Sequence, residues 1–549
     1  MQKIAMILFL SLFLGLPSPG YGQVRLWSRD IGGNFYFLST STGDLLVSTQ
    51  NKTMLLDGET GETIWTRDDL TGCKAVFAPI YQFECKYLPL GDLNFEILPS
   101  VQRMIGHESV DGELAIFDLE TGATVFEPES GSFGKIRRYV HSEPSGQLAF
   151  FAEGEDDEFL MVGVRLADGR VMWQFDSPTT KDPAWLGVLE DGSVLMYGKN
   201  DGERILAMLD LKEGTIAWQN DEVLDEDVKV LWAPKLRFSG KDWRPKQYRI
   251  EPLIFDSEST LISFVTKDGP MRLSRDGELI WRGVDLDGKD PSQMILAEGV
   301  LYLLQEKNVF AIDSSDGRIL WRVKARFDPD TIELHDQGLL VWSKKRLDLL
   351  DTESGSPRWR KELDISEAAA NAHVVTSERI YVAGKKVLSE VNILDGGLTR
   401  LARYEFDDGE GPTRLSLAET SLILESPQNF ARYDLTSQEF IHRYYKSPRS
   451  SGWARFGAYA RGGLAGFLTV FGARYGYTAL RAQYSYYYFE NEDGGEARRF
   501  AFIRVDRETG QEEGTLWLNQ RKPEIIFDSQ TEILFSREKG SLEAARFIN

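Results

Sequence analysis

An all-β fold, a β-propeller of four-stranded blades, is predicted by three observations. A turn frame of Asp, Gly and Trp recurs along the chain, alternating β-branched and aromatic runs flank it, and helical periodicity is almost absent. The chain has 549 residues, 42% hydrophobic and 12% aromatic, which is too long for one ordinary compact domain unless it repeats. One ring of eight or more blades is the expectation, with two joined propellers as the alternative.

The chain begins "MQKIAMILFLSLFLGLPSPGYGQ", with Lys3 ahead of an apolar run from Ile4 to Leu16, then prolines and small residues. That order is the order of a secretory signal, so residues 1–22 are set apart and residues 23–549 are assigned to the propeller. The run is shorter than the ~20 apolar residues of a comfortable membrane span. No cysteine follows it, so an exported chain, periplasmic or secreted and not a lipoprotein, is expected.

Four copies of the frame match fully: "DGETGETIW" (Asp57, Gly61, Trp65), "DLKEGTIAW" (Asp210, Gly214, Trp218), "DSSDGRILW" (Asp313, Gly317, Trp321) and "DTESGSPRW" (Asp351, Gly355, Trp359). "DLETGATVF" places Phe126 at the Trp position, and "RLADGRVMW" (Trp173) and "LSRDGELIW" (Trp281) lose the aspartate. "NILDGGLTR", "DLTSQEFIH" and "DRETGQEEGTLW" are more degraded. The aromatic position returns every ~38–63 residues, and the shorter intervals match a four-stranded blade. Asp starts the turn by accepting backbone N–H groups, Gly takes a positive φ to leave it, and Trp offers a flat face with an N–H to wedge between sheets.

This pattern resembles the tryptophan-docking motif of the PQQ-like β-propeller repeat, found in quinoprotein dehydrogenases and in non-catalytic BamB-type relatives. The resemblance covers about residues 24–549 and implies the propeller fold and either a quinone-dependent dehydrogenase or a binding scaffold. A propeller joins its first and last blades. "VRLWSRD" (24–30) looks like an outer strand without its turn, and three short strands in 523–547 lack an outer strand, so the two ends are expected to complete one blade.

Cys73 and Cys85, the only cysteines, are flanked by strand-like residues in an exported chain. They read either as a disulfide closing a hairpin or as two buried thiols. Two stretches, about 231–252 and 451–499, interrupt the repeat. The first interleaves basic and aromatic residues and reads as a solvated loop that compensates the acidic run before it, or as an anion-binding surface. Within the second, 451–489 reads as a hairpin lengthening a blade, or as a partner or peripheral membrane patch carrying Trp453, Phe467, Phe471 and Tyr475.

With 63 basic against 85 acidic residues, the net charge of −22 argues against nucleic acid as partner. Five scattered histidines have no ligand spacing. Dehydrogenases of this type carry an adjacent cysteine pair over the quinone. This chain has no such dipeptide and no assignable calcium-ligand set, so no catalytic, cofactor or metal residue is expected. A non-catalytic scaffold for a protein or peptide partner is the leading expectation; a divergent enzyme using PQQ and calcium in the channel is the alternative.

Overall fold

A computed structural model of the chain describes residues 23–547 apart from 41, 76–81, 89, 109–111, 129–131, 155–158, 190, 201, 223–252, 256–260, 267–268, 284–290, 367–371, 427–428, 446–483, 492–498, 519–523, 529–530 and 539. The chain forms two compact units, one of residues 1–47, 56–63 and 404–549, the other of residues 48–55 and 64–403. Among the described residues there are eleven antiparallel sheets, nine of four strands, one of six and one of three.

Numbered along the chain, blade 1 comprises strands Tyr36–Ser39, Leu45–Ser48, Thr53–Leu56 and Thr63–Arg67. Blade 2 is the six-stranded sheet, in which Leu70–Ala75 and Gln82–Tyr87 precede Gly91–Leu98, Arg103–Glu108, Glu113–Asp118 and Thr124–Phe126. Blades 3 to 9 each have four strands in meander order, beginning at Lys135, Lys181, Leu253, Gln293, Thr331, Ala372 and Arg414. Blade 10 has three described strands, Tyr484–Asn491, Arg499–Asp506 and Glu512–Leu518. Residues 484–491 therefore pair regularly, although the sequence reading placed them within an interruption.

The eleventh sheet joins the chain ends, with Gln23–Asp30 beside Ser541–Phe547, then Ile533–Glu538 and Glu524–Asp528. Its register runs from Gln23 opposite Phe547 to Asp30 opposite Ser541, so the N-terminal strand supplies the Trp-bearing edge that the C-terminal strands lack. This is the closure expected from the sequence.

Blades bury both faces because their central strands are apolar at successive positions. In the blade 3 strand Gln147–Glu153, Leu148, Phe150 and Ala152 pack with Leu98, Ile105, Leu114 and Ile116 of blade 2. Ala149 and Phe151 point the other way and pack with Val194, Met196 and Ala207 of blade 4. Side chains alternate across a strand, so a continuous apolar run serves two seams at once. Each fully buried phenylalanine contributes ~2–3 kcal/mol of transfer free energy. The seams are thus the core of the protein, repeated.

Candidate functional site

The recurring frame builds one local geometry. Asp57 Oδ1 accepts the N–H groups of Glu59 at 3.0 Å and Thr60 at 2.7 Å and the Thr60 hydroxyl at 2.9 Å, while Gly61 N–H donates to the Asp57 carbonyl at 2.8 Å. Asp210 Oδ1 accepts from Lys212 and Glu213, Asp313 Oδ1 from Ser315, and Asp351 Oδ1 from Glu353 and Ser354. Gly214, Gly317 and Gly355 close the same turns onto Asp210, Asp313 and Asp351. Hydroxyl hydrogen bonds, from Ser315 to Asp313 and from Ser354 to Asp351, hold these two carboxylates below the usual range.

The tryptophan of one blade sits on the turn of the next. The Trp65 indole N–H donates to the Leu119 carbonyl at 2.8 Å, Trp321 to Thr352 at 2.8 Å and Trp359 to Ile393 at 2.8 Å. Trp173, Trp218 and Trp281 reach the Leu211, Arg275 and Ser314 carbonyls, and Trp27 reaches Gly58. In each case the acceptor is the carbonyl just after the residue that starts the turn.

The glycine therefore has two duties. Gly355 has φ +69°, and a Cβ there would lie 2.6 Å from the Trp321 ring. Gly396 has φ +70°, with Trp359 at 2.8 Å from the same hypothetical atom. The sequence reading assigned only the φ. The close approach explains why asparagine, which tolerates positive φ, does not stand in these frames.

Three further features escaped the sequence reading. First, two residues past some docking tryptophans a polar side chain adds a second donor: Arg29 to the Gly61 carbonyl at 2.8 Å, Arg67 to Gly122 at 2.7 Å and Asn220 to Gly277 at 2.8 Å. The visible signal was the repeated W-x-R of "WSRD" and "WTRD".

Second, a seam that lacks a tryptophan is repaired from another strand. Phe126 packs beside Gly169, but the carbonyl that an indole would take, Leu166 O, accepts Arg103 Nε at 2.6 Å, and Arg103 also reaches Ala167 O at 2.7 Å. In blade 9, His442 lies against Gly510 where the tryptophan would be.

Third, the edge strands are bulged just before the docking residue. In blade 6, Ala311 pairs with Trp321 and Ile312 with Ile319, so Leu320 is the extra residue. Met172, Ile280 and Ile441 take the same place in blades 3, 5 and 9. A bulge re-aims a side chain and interrupts the ladder. Here it turns the tryptophan inward and the preceding apolar residue outward. Ten of the fourteen large apolar side chains exposed among the described residues lie on these edge strands, Ile64 at 45%, Met172 at 40% and Ile441 at 45% among them.

Cys73 and Cys85 form a disulfide between neighbouring strands of blade 2, with both residues buried. Stretch 231–252 and residues Trp453, Phe467, Phe471 and Tyr475 lie outside the described residues. Among the described residues, no cluster of three or more His, Cys, Asp or Glu side chains is placed to hold a metal ion.

The family model described as outer membrane protein assembly factor BamB matches residues 305–424, which span blades 6 to 8 and the start of blade 9. Among solved structures, the chain is similar to BamB from Moraxella catarrhalis, at 13% identity and TM-score 0.21 over 74% of this chain and 97% of that one. It is also similar to the dihydro-heme d1 dehydrogenase NirN in complex with DHE, at 12% identity and TM-score 0.29 over 79% of this chain and 82% of that one. No curated protein matches the chain. The tryptophan-docked four-stranded sheets have the form of the PQQ-like β-propeller repeat, and residues 305–424 match the model of that repeat.

Proposed function

We propose that the chain is an exported, non-catalytic propeller scaffold that binds protein or peptide partners during envelope assembly. The observation that carries this reading is the match of residues 305–424 to the assembly-factor model, and the exposed apolar residues of the edge strands, Met172 and Ile280 among them, are the positions at which a partner is expected to touch. The Asp, Gly and Trp of each frame are engaged in turn formation and docking, so the repeated polar groups hold the scaffold and the edge residues serve the partner. Because bulges interrupt the ladder, docking proceeds through side chains more than through addition of a strand. The match of 305–424 to an outer-membrane assembly factor supports this class of partner, and the basic, apolar and small-residue order of residues 1–22 supports export.

Photo-crosslinking from positions 172 and 280, compared with the exposed turn residue Leu394, tests the surface in native envelopes. Adducts with outer-membrane assembly components from the two edge positions support the proposal; adducts confined to position 394 contradict it. A separate titration with PQQ and calcium examines the dehydrogenase alternative, and stoichiometric quinone binding with dye reduction would sink the scaffold reading.

A further inference from the structure

All five histidines of the chain make contact across a seam between consecutive blades. His442 of blade 9 lies on Gly510 of blade 10. The other four divide between two seams and repeat one arrangement.

At the seam of blades 2 and 3, His107 Nε2 meets the Ile136 carbonyl at 3.2 Å, and His141 Nε2 stands 3.8 Å from Glu96 Oε2. At the seam of blades 7 and 8, His335 Nε2 meets the Thr376 carbonyl at 2.9 Å, and His373 Nε2 stands 3.7 Å from Glu333 Oε2. Glu96 and Glu333 lie on the Gly91–Leu98 and Thr331–His335 strands; His141 and His373 lie on the first strands of the blades that follow. Each seam thus has one imidazole on a carbonyl and one facing a carboxylate.

We propose that these two seams are proton-operated clamps. When the ring of His141 or His373 takes a proton, it closes an ion pair with Glu96 or Glu333 and ties the two blades together at those strands. Neutral imidazole at these distances supplies little attraction to the carboxylate, whereas the cation supplies a charge-assisted contact.

The two seams differ in how they receive the charged ring: His141 Nδ1 is buried without a hydrogen-bond partner, so a proton there is left unsatisfied and weakens the clamp between blades 2 and 3. Glu96 also accepts the Tyr139 hydroxyl at 3.1 Å, which orients the carboxylate beside His141, and burial pushes the Tyr139 hydroxyl far up, so it remains a neutral donor. Trp342 stacks on His373 with ring centroids 4.4 Å apart, a face that a cation prefers. The remaining two histidines do not oppose the clamp. Burial lowers the His107 pKa, so that ring resists charging. His335 has both ring nitrogens engaged, Nδ1 accepting the Gln337 N–H at 3.0 Å and Nε2 meeting the Thr376 carbonyl. Gain of the proton closes the clamp and its loss releases it.

Hydrogen–deuterium exchange of the intact protein at pH 8.0 and 5.5, corrected for the chemical exchange rate, reads the clamp directly. Acidification is expected to protect residues 372–375 about threefold more than the control strand Ser193–Asn200, the size of a partly exposed ion pair, and residues 135–142 by less, because His141 Nδ1 is buried without a partner. His141→Gln and Glu96→Gln should abolish the gain at 135–142 only, and His373→Gln and Glu333→Gln the gain at 372–375 only. If a histidine variant fails to fold, the matching glutamate variant and the wild-type response still decide. Protection that falls or stays level on acidification, or a gain that survives Glu96→Gln and Glu333→Gln, overturns the proposal.

Discussion

The seam between blades 7 and 8 and the seam between blades 2 and 3 solve the same problem with different residues. In the first, one tryptophan does two things: Trp359 fills the space over Gly396 and its N–H satisfies the Ile393 carbonyl. In the second, the Val125 carbonyl and the Phe126 Cβ lie against Gly169, and Arg103, from the blade's Arg103–Glu108 strand, satisfies the equivalent Leu166 carbonyl. The wedge and the donor are therefore separable. What both seams keep is a close contact on the glycine and some N–H on the first carbonyl of the turn, because a buried carbonyl left unpaired costs ~1–3 kcal/mol.

The largest expected effect breaks the wedge in the first seam. Gly396→Ala should destabilise by ~2–5 kcal/mol, since a positive-φ alanine is strained and its Cβ overlaps the Trp359 ring. Gly72→Ala shares the positive φ but meets nothing within 4 Å, so it should cost only ~1 kcal/mol. Denaturant unfolding of both variants separates overlap from backbone strain, and equal losses would mean that the ring contact is unimportant.

Removing the donor comes next. Trp321→Phe keeps a ring but leaves the Thr352 carbonyl unpaired, and Arg103→Met does the same to Leu166; each should cost ~1–3 kcal/mol. Phe126→Trp, by contrast, should bring no gain while Arg103 holds that carbonyl. A clear stabilisation by Phe126→Trp would show that the second seam is a defect and not an alternative.

Two aspartates three residues apart in blade 7 sharpen the contrast between turn and core. Asp348 is buried and its pKa is pushed up to about 6 by burial, against the opposing pull of the Arg326 guanidinium at 3.7 Å. A raised carboxylate favours folding when protonated, so its stability contribution is lost as pH rises from ~4 through about 6. Asp348→Asn should then stabilise by ~1–2 kcal/mol at pH 8 and change little near pH 4, as thermal unfolding at the two pH values would show.

Asp351 behaves oppositely. The Ser354 hydroxyl, with backbone N–H and Arg358 contacts, depresses it, so its contribution is present above ~4 and fades as pH falls through the folded value. Asp351→Asn should cost less than ~1 kcal/mol at pH 7, and the cost should shrink in acid. A cost that grows in acid would contradict the assignment.

Much of this was legible in the sequence, for definite reasons. Asp57, Gly61 and Trp65 are close in sequence, and their roles in the turn follow from local hydrogen bonding and φ. The union of "VRLWSRD" with the C-terminal strands was also legible, because each end lacked what the other had. Arg103 was not, since its acceptor lies 63 residues away and nothing local marks it as a substitute for an indole. The bulge at Leu320 was hidden too: alternation along one strand does not reveal which residue its neighbour skips. The glycine's second duty belongs to a contact between blades, so no single frame could display it.

The most direct measurement of the docking account is exchange of the indole N–H protons, followed by NMR in D2O with assignment by Trp→Phe variants. Trp65, Trp281, Trp321 and Trp359 donate to backbone carbonyls of the following blade and should retain their indole protons long after those of free N-acetyltryptophanamide have exchanged. Indole protons of those four that exchange as quickly as those of the free amide would contradict the claim that the tryptophan N–H holds one blade to the next.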